Sequence, residues 1–129
     1  MNFKLKENIY LLSRVISDYK NLNIDDIILS SFPRSGSTWI RFILFNYLNM
    51  HYEKKIDINC ESLDKEFHAI GAGNLKNDWM FNEHSRIIKS HLKYLPILKY
   101  KNAVGLIRDP RDVMVSYYHY KKFKVWSFE

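Results

Sequence analysis

One cysteine, Cys60, stands in a chain of 129 residues. No disulfide can close within the chain, and this usage leans towards a reducing compartment. No partner motif surrounds Cys60, so it is expected to be a small buried hydrophobe. Long apolar runs are missing too. A membrane span needs ~20 apolar residues, and the most apolar segment, Trp39 to Leu48, is interrupted by Arg41 and Asn46. The first ten residues are mixed polar, without a signal-peptide apolar run. No membrane partner and a cytoplasmic location are therefore expected. There is no internal repeat, no low-complexity tract and no convincing cluster of metal ligands, so no metal is expected.

What is present fits one small domain over residues 1–129. A chain of this length buries roughly two-thirds of its unfolded surface. Hydrophobic residues at 47% and charged residues at 26% are the balance of an ordinary globular protein. Lys and Arg outnumber Asp and Glu by 20 to 14, which suits an anionic ligand and also loose contact with nucleic acid.

Residues 5 to 20 carry Leu5, Ile9, Leu12, Ile16 and Tyr19 on one helical stripe. Ile27, Ile28 and Leu29 read as a strand covered on both faces. From Trp39 to Leu48 the apolar residues repeat at helical spacing on several faces, which predicts a largely buried helix. Residues 50 to 84 read as loops with short helical turns. Arg86 to Ser90 predicts a second strand, and Pro96 marks the connection after it. Ala103 to Ile107 predicts a third strand ending at Arg108. A helix follows near Arg111 with Asp109 as its cap. Strands separated by crossovers imply a parallel α/β sheet, with ligands beyond the carboxyl ends of the strands.

A polar cluster lies at each of those ends. The first is Ser30-Ser31-Phe32-Pro33-Arg34-Ser35-Gly36-Ser37-Thr38-Trp39. A strand running through a Gly/Ser/Thr loop into a helix start is a phosphate-binding device, because first-turn N–H groups lack intrahelical partners. Gly36 lets the backbone close around an anion, the hydroxyls of Ser35, Ser37 and Thr38 add donors, and Arg34 adds fixed charge. The loop is not a Walker A motif: only Gly36 is present, with no Lys before the hydroxyl pair. The plainer reading is a polar turn with a Ser/Thr helix cap. The second cluster is Lys89-Ser90-His91, a candidate general base beside a cation. His51, His68, His84 and His119 are expected to be structural or exposed. The third cluster runs from Arg108 to Tyr120. There Arg108 and Ser116 could converge on a second phosphate, or Asp109, Arg111 and Asp112 could pair locally at a helix start.

Together and in this order the clusters resemble the sulfotransferase family, over about Ile27 to Tyr120. The first is similar to its 5′-phosphosulfate loop, the second to its Lys-[Thr/Ser]-His segment, and the third to its Arg-[Asn/Asp]-Pro-[Lys/Arg]-Asp-x-x-x-Ser-Tyr-Tyr segment. The resemblance implies a P-loop-like three-layer α/β fold with a parallel sheet. It implies 3′-phosphoadenosine 5′-phosphosulfate as sulfuryl donor and no metal. Arg34 would neutralise charge on the sulfuryl group and the bridging oxygen. Ser35, Gly36, Ser37 and Thr38 would hold the 5′-phosphate. Trp39 would stack on adenine or, alternatively, pack in the helix core. Lys89 would assist at the sulfuryl oxygens, His91 would take the acceptor proton, and Arg108 and Ser116 would bind the 3′-phosphate.

The family's later Gly-rich basic segment has no counterpart after Tyr120, so the chain is expected to be the N-terminal half of a sulfotransferase domain. The last helix carries Val113, Val115, Tyr117, Tyr118, Tyr120 and Phe123 on several faces, which calls for a cover: a C-terminal half or a homodimer partner. The resemblance implies a small-molecule or glycan acceptor bearing a hydroxyl or amine, with residues 49 to 84 expected to shape its pocket. The rival readings are a non-catalytic nucleotide-binding fragment and a basic nucleic-acid-binding domain. The second rival has only the charge and the aromatic content behind it.

Overall fold

The apolar run Ile27-Ile28-Leu29 forms the centre of the sheet. The structure, a computed structural model, describes residues 3–92 and 102–126. Its elements are α1 (Phe3–Lys20), β1 (Ile27–Ser31), α2 (Ser37–His51), α3 (Cys60–Glu66), β2 (Ile87–Ser90), β3 (Asn102–Leu106) and α4 (Pro110–Trp126). The strand order is β2-β1-β3 and both pairings are parallel. The connection marked by Pro96 lies outside the described residues.

Alternation along the strands sorts the core into two faces. Ile28 and Ile88 are register partners and pack with Leu75, Tyr19 and Leu22 at the end of α1. Ile87 points the other way, into a cluster built from Phe45 and Leu48 of α2, Leu63 of α3, and Phe67, Trp79 and Phe81. Both faces of the sheet are therefore covered, one by α2 and α3 and the other by the end of α1 with the loop residues Leu22, Ile70 and Leu75. The rings of Phe67 and Phe81 meet Phe45 edge-on at 5.8 and 5.6 Å, a preferred aromatic geometry.

Several expectations are corrected. The stripe foreseen on α1 is turned to solvent at Ile9, Leu12 and Ile16; the side chain of Leu5 lies outside the described residues. The helix is buried chiefly at Asp18, through its last turns. α2 buries only the stripe Ser37, Arg41, Phe45 and Leu48, because one face alone meets the sheet and α3. The third strand stops at Leu106, where its ladder with β1 ends opposite Ser31. Ile107 is 92% exposed. Cys60 is exposed at the start of α3, since Leu63 and Glu66 take that helix's buried face.

Two carboxylates fix the frame. Asp26 is buried at the foot of β1 and takes a two-pronged bond from Arg86, Nε to Oδ1 at 2.9 Å and Nη2 to Oδ2 at 2.8 Å. Arg86 also donates to the carbonyls of Leu75 and Asn21. Removing one partner of such a buried pair costs about 3–5 kcal/mol. Asp18 accepts from the N–H of Gly71 at 2.7 Å and of Gly73 at 3.2 Å. Both glycines have positive φ, which side-chain-bearing residues resist. This turn steadies residues 68–70, which run beside β2: Lys89 N donates to His68 O and Ile70 N donates to Lys89 O. The backbone of Lys89 is thus bracketed on a second side.

Candidate active site

The first cluster folds as a tight turn, with Ser35 N donating to Phe32 O at 3.1 Å. Arg34 at φ 71° and Gly36 at φ 101° are both in the positive region. Gly36 is the N-cap of α2 and no side chain caps that helix. The Ser/Thr-cap reading therefore fails, and the first-turn N–H groups of a 15-residue helix stay available to an anion.

That helix start opens on a cavity of ≈ 420 Å³ lined by Arg34, Gly36, Ser37, Thr38 and Trp39 from the first cluster. Lys89 and His91 enter from the end of β2, Arg108 from the β3–α4 connection, and Ser116 and Tyr117 from α4. Ser35 alone of the expected residues does not line it. Ser35 is buried and borders an adjacent cavity of ≈ 540 Å³, whose walls also include His91 and Arg108. Trp39 is 76% exposed, which removes the helix-core alternative and leaves its ring on the cavity wall.

Direct bonds join the first and third clusters. Arg34 Nε donates to Ser116 Oγ at 3.1 Å, and Arg108 Nη1 donates to the Arg34 carbonyl at 3.3 Å. The Arg34 guanidinium lies 5.1 Å from the ring centre of Tyr120. Asp109 caps α4 as expected, accepting from Arg111 N at 2.9 Å. Local pairing at the helix start is also present. Arg111 and Asp109 pair at 2.7 Å, while Arg108 and Asp112 are 3.8 Å apart and both exposed. The first pair occupies Arg111. The second is too loose and wet to hold Arg108.

His91 Nδ1 sits 2.8 Å from the Ser31 carbonyl, with Ser31 Oγ at 3.3 Å. A carbonyl only accepts, so Nδ1 carries the proton and the neutral ring keeps its lone pair on Nε2. Desolvation pushes the imidazole pKa below its ordinary value; the Ser31 carbonyl opposes this, and the charges of Lys89 and Arg41 add to it. Desolvation also lowers the pKa of Lys89, helped by Arg41 and opposed by Asp64 and Tyr120.

Arg41 was not foreseen. It is 4% exposed, donates from Nη1 to Asp64 at 2.9 Å, and leaves Nε without a partner. Its sequence signal is a charge inside the apolar run of α2. Tyr120, another member of the cavity wall, was taken for apolar surface alone. Residues 49 to 84 line neither cavity containing His91; they supply core packing under α2 instead. Among the other histidines, His68 is fully buried with both ring nitrogens unpartnered. His51 and His84 stack face to face at 6.2 Å on the surface.

A parallel sheet whose strand ends gather cations around an open helix start defines an α/β protein with a cavity suited to an anion. The sulfotransferase domain profile matches residues 24–126, and the chain belongs to the sulfotransferase family. Cytosolic sulfotransferase 1 of Danio rerio is 29% identical over 112 residues, covering 78% of this chain and 37% of that protein. Sulfotransferase 1E1 of Mus musculus is 32% identical over 109 residues, with 74% and 35% covered. Luciferin sulfotransferase of Photinus pyralis is 31% identical over 120 residues, with 74% and 32% covered. The chain spans about a third of the length of these relatives. Among the described residues, no helix is long and apolar enough to cross a membrane.

Proposed function

We propose that residues 1–129 form one domain carrying the donor-binding part of a sulfotransferase site. It moves a sulfuryl group from 3′-phosphoadenosine 5′-phosphosulfate to the hydroxyl or amine of a small-molecule or glycan acceptor. The observation that carries this reading is the convergence of the uncapped α2 start, Arg34, Lys89, His91, Arg108 and Ser116 on one cavity. The donor set fits two phosphates. Backbone N–H groups with Ser37 and Thr38 suit the 5′ side. Arg108 and Ser116, carried by the β3–α4 connection and α4, suit the 3′ side.

In this reading the acceptor oxygen or nitrogen attacks sulfur in line while the bond from sulfur to the bridging oxygen breaks. The acceptor proton passes to His91 Nε2, and adenosine 3′,5′-bisphosphate leaves. The cations Arg34 and Lys89 offset charge growing on the leaving oxygen, as preorganised groups do in transition states. His91, oriented by the Ser31 carbonyl, contributes a factor of about 10²–10⁴. No metal and no nucleic acid or membrane partner enters the scheme, and the site works in the cytoplasm.

The test is calorimetry with adenosine 3′,5′-bisphosphate and AMP. The bisphosphate binds more tightly, and Arg108→Ala erases the difference, a loss of about 1.5–3 kcal/mol for a charged hydrogen bond. Equal affinity of the wild type for both nucleotides would sink the assignment of the third cluster.

A further inference from the structure

We propose that Tyr120 is a positioning residue that holds the Arg34 guanidinium over the anion cradle through the face of its ring; the inference rests on the function proposed above. Arg34 is a long side chain on a strained backbone, at φ 71°. Its Nε is fixed by Ser116 at 3.1 Å and its guanidinium carbon lies 5.1 Å from the Tyr120 ring centre. Ser116 and Tyr120 are one helical turn apart on α4, so they present one face to Arg34. A hydroxyl at one end and a ring on the other fix both the place and the tilt of the guanidinium plane. The ring quadrupole attracts the cation without consuming any of its N–H donors. The N–H groups not used by Ser116 thus remain for an anion, which a carboxylate partner would have taken. Tyr120 also lines the cavity that Arg34 and Lys89 share, the two cations assigned to the sulfuryl group.

A side chain held in place before binding loses less freedom when the ligand arrives. Loss of the ring therefore weakens the binding of a 5′-phosphate while the charge of Arg34 stays. The probe is adenosine 3′,5′-bisphosphate, titrated calorimetrically into the full 129-residue chain. Tyr120→Phe keeps the ring and binds within about twofold of wild type. Tyr120→Leu binds about three- to tenfold more weakly, the range expected of a cation–π contact. In an Arg34→Ala background, Tyr120→Leu has no further effect, because the cation it positions is gone. A merely structural role would add its loss in both backgrounds. Tyr120 is 37% exposed, so the leucine has room. Should it fail to fold, Tyr120→Met repeats the measurement with an unbranched chain. The proposal is overturned if Leu binds like wild type, if Phe loses as much as Leu, or if the loss persists without Arg34. A wild type that binds no bisphosphate overturns the functional reading and this role with it. A wild type that binds while the ring variants change nothing overturns this role alone.

Discussion

Gly36→Ala isolates what the loop backbone contributes. A Cβ added there would meet only Leu106 Cδ2, at 4.0 Å, an ordinary contact. The penalty is therefore conformational. At φ 101° an L-residue lies well outside its comfortable left-handed range, which costs roughly 1–2 kcal/mol. The unfolded chain gives part of that back, since alanine has less freedom to lose, about 0.4–1 kcal/mol. A net loss near 1 kcal/mol lowers the melting temperature by about 3–6 °C for a domain of this size. Binding is hit harder. If the loop relaxes by moving the α2 start, one N–H bond to a phosphate is lost, about 1.5–3 kcal/mol or roughly ten- to a hundredfold in Kd. Gly105→Ala is the control: it has open space and no positive φ, so both quantities stay near wild type. Circular dichroism melts and calorimetry with adenosine 3′,5′-bisphosphate read the pair. A Gly36→Ala chain that melts at or above wild type and binds equally well would refute the strained-cradle argument.

For the proposed transfer reaction, His91→Ala is expected to lower turnover by about 10²–10⁴ with little change in nucleotide affinity; near-full turnover would place the base elsewhere. The His91 pKa is depressed and the proposed reaction uses the neutral ring, so its acid limb is expected below pH ~6.5; a limb centred above it contradicts the assignment. His68 also titrates low because it is buried. The unfolded chain takes that proton first, so the stability it contributes is present above pH ~6.5 and is lost as pH falls from there through the folded pKa. His68→Leu raises stability by about 1–3 kcal/mol by removing unpaired polar atoms and flattens that slope in urea titrations; an unchanged slope would acquit His68. Met114, Val115, Tyr118 and Phe123 of α4 are exposed, so residues 1–129 expressed alone self-associate by light scattering. A clean monomer would show that this surface tolerates water.

The sequence was most legible where one residue type settles local geometry. Gly36, the Asp109 cap and the apolar run of β1 each act within a few residues, and each was found. The three clusters were legible for the same reason, as every one follows directly from a strand or its end. Burial was read badly because it depends on what lies across the chain. The periodicity of α1 marks an apolar stripe, yet the body meets that helix chiefly through Asp18 near its end. The apolar faces of α2 gave no hint that Trp39, Ile43 and Tyr47 would stay exposed. Arg41 looked like an interruption, because its partner Asp64 is 23 positions away and no local pattern links the two. Tyr120 was hidden by its apolar neighbours, since a ring that faces a cation looks no different in sequence from one that faces the core.

Among the described residues, β3 is hydrogen-bonded on one side only, to β1, and its residues are largely exposed. The 3′ half of the proposed nucleotide site therefore rides on the least enclosed strand of the sheet, while the 5′ half rides on the most enclosed. A ligand touching both acts as a strap across that weak seam. Amide hydrogen exchange should slow on binding in β3 and the first turns of α4, and hardly at all in α1. Affinity and the local opening free energy of the β3–α4 segment are then coupled quantities. Substitutions that stiffen this seam should tighten nucleotide binding without touching the nucleotide.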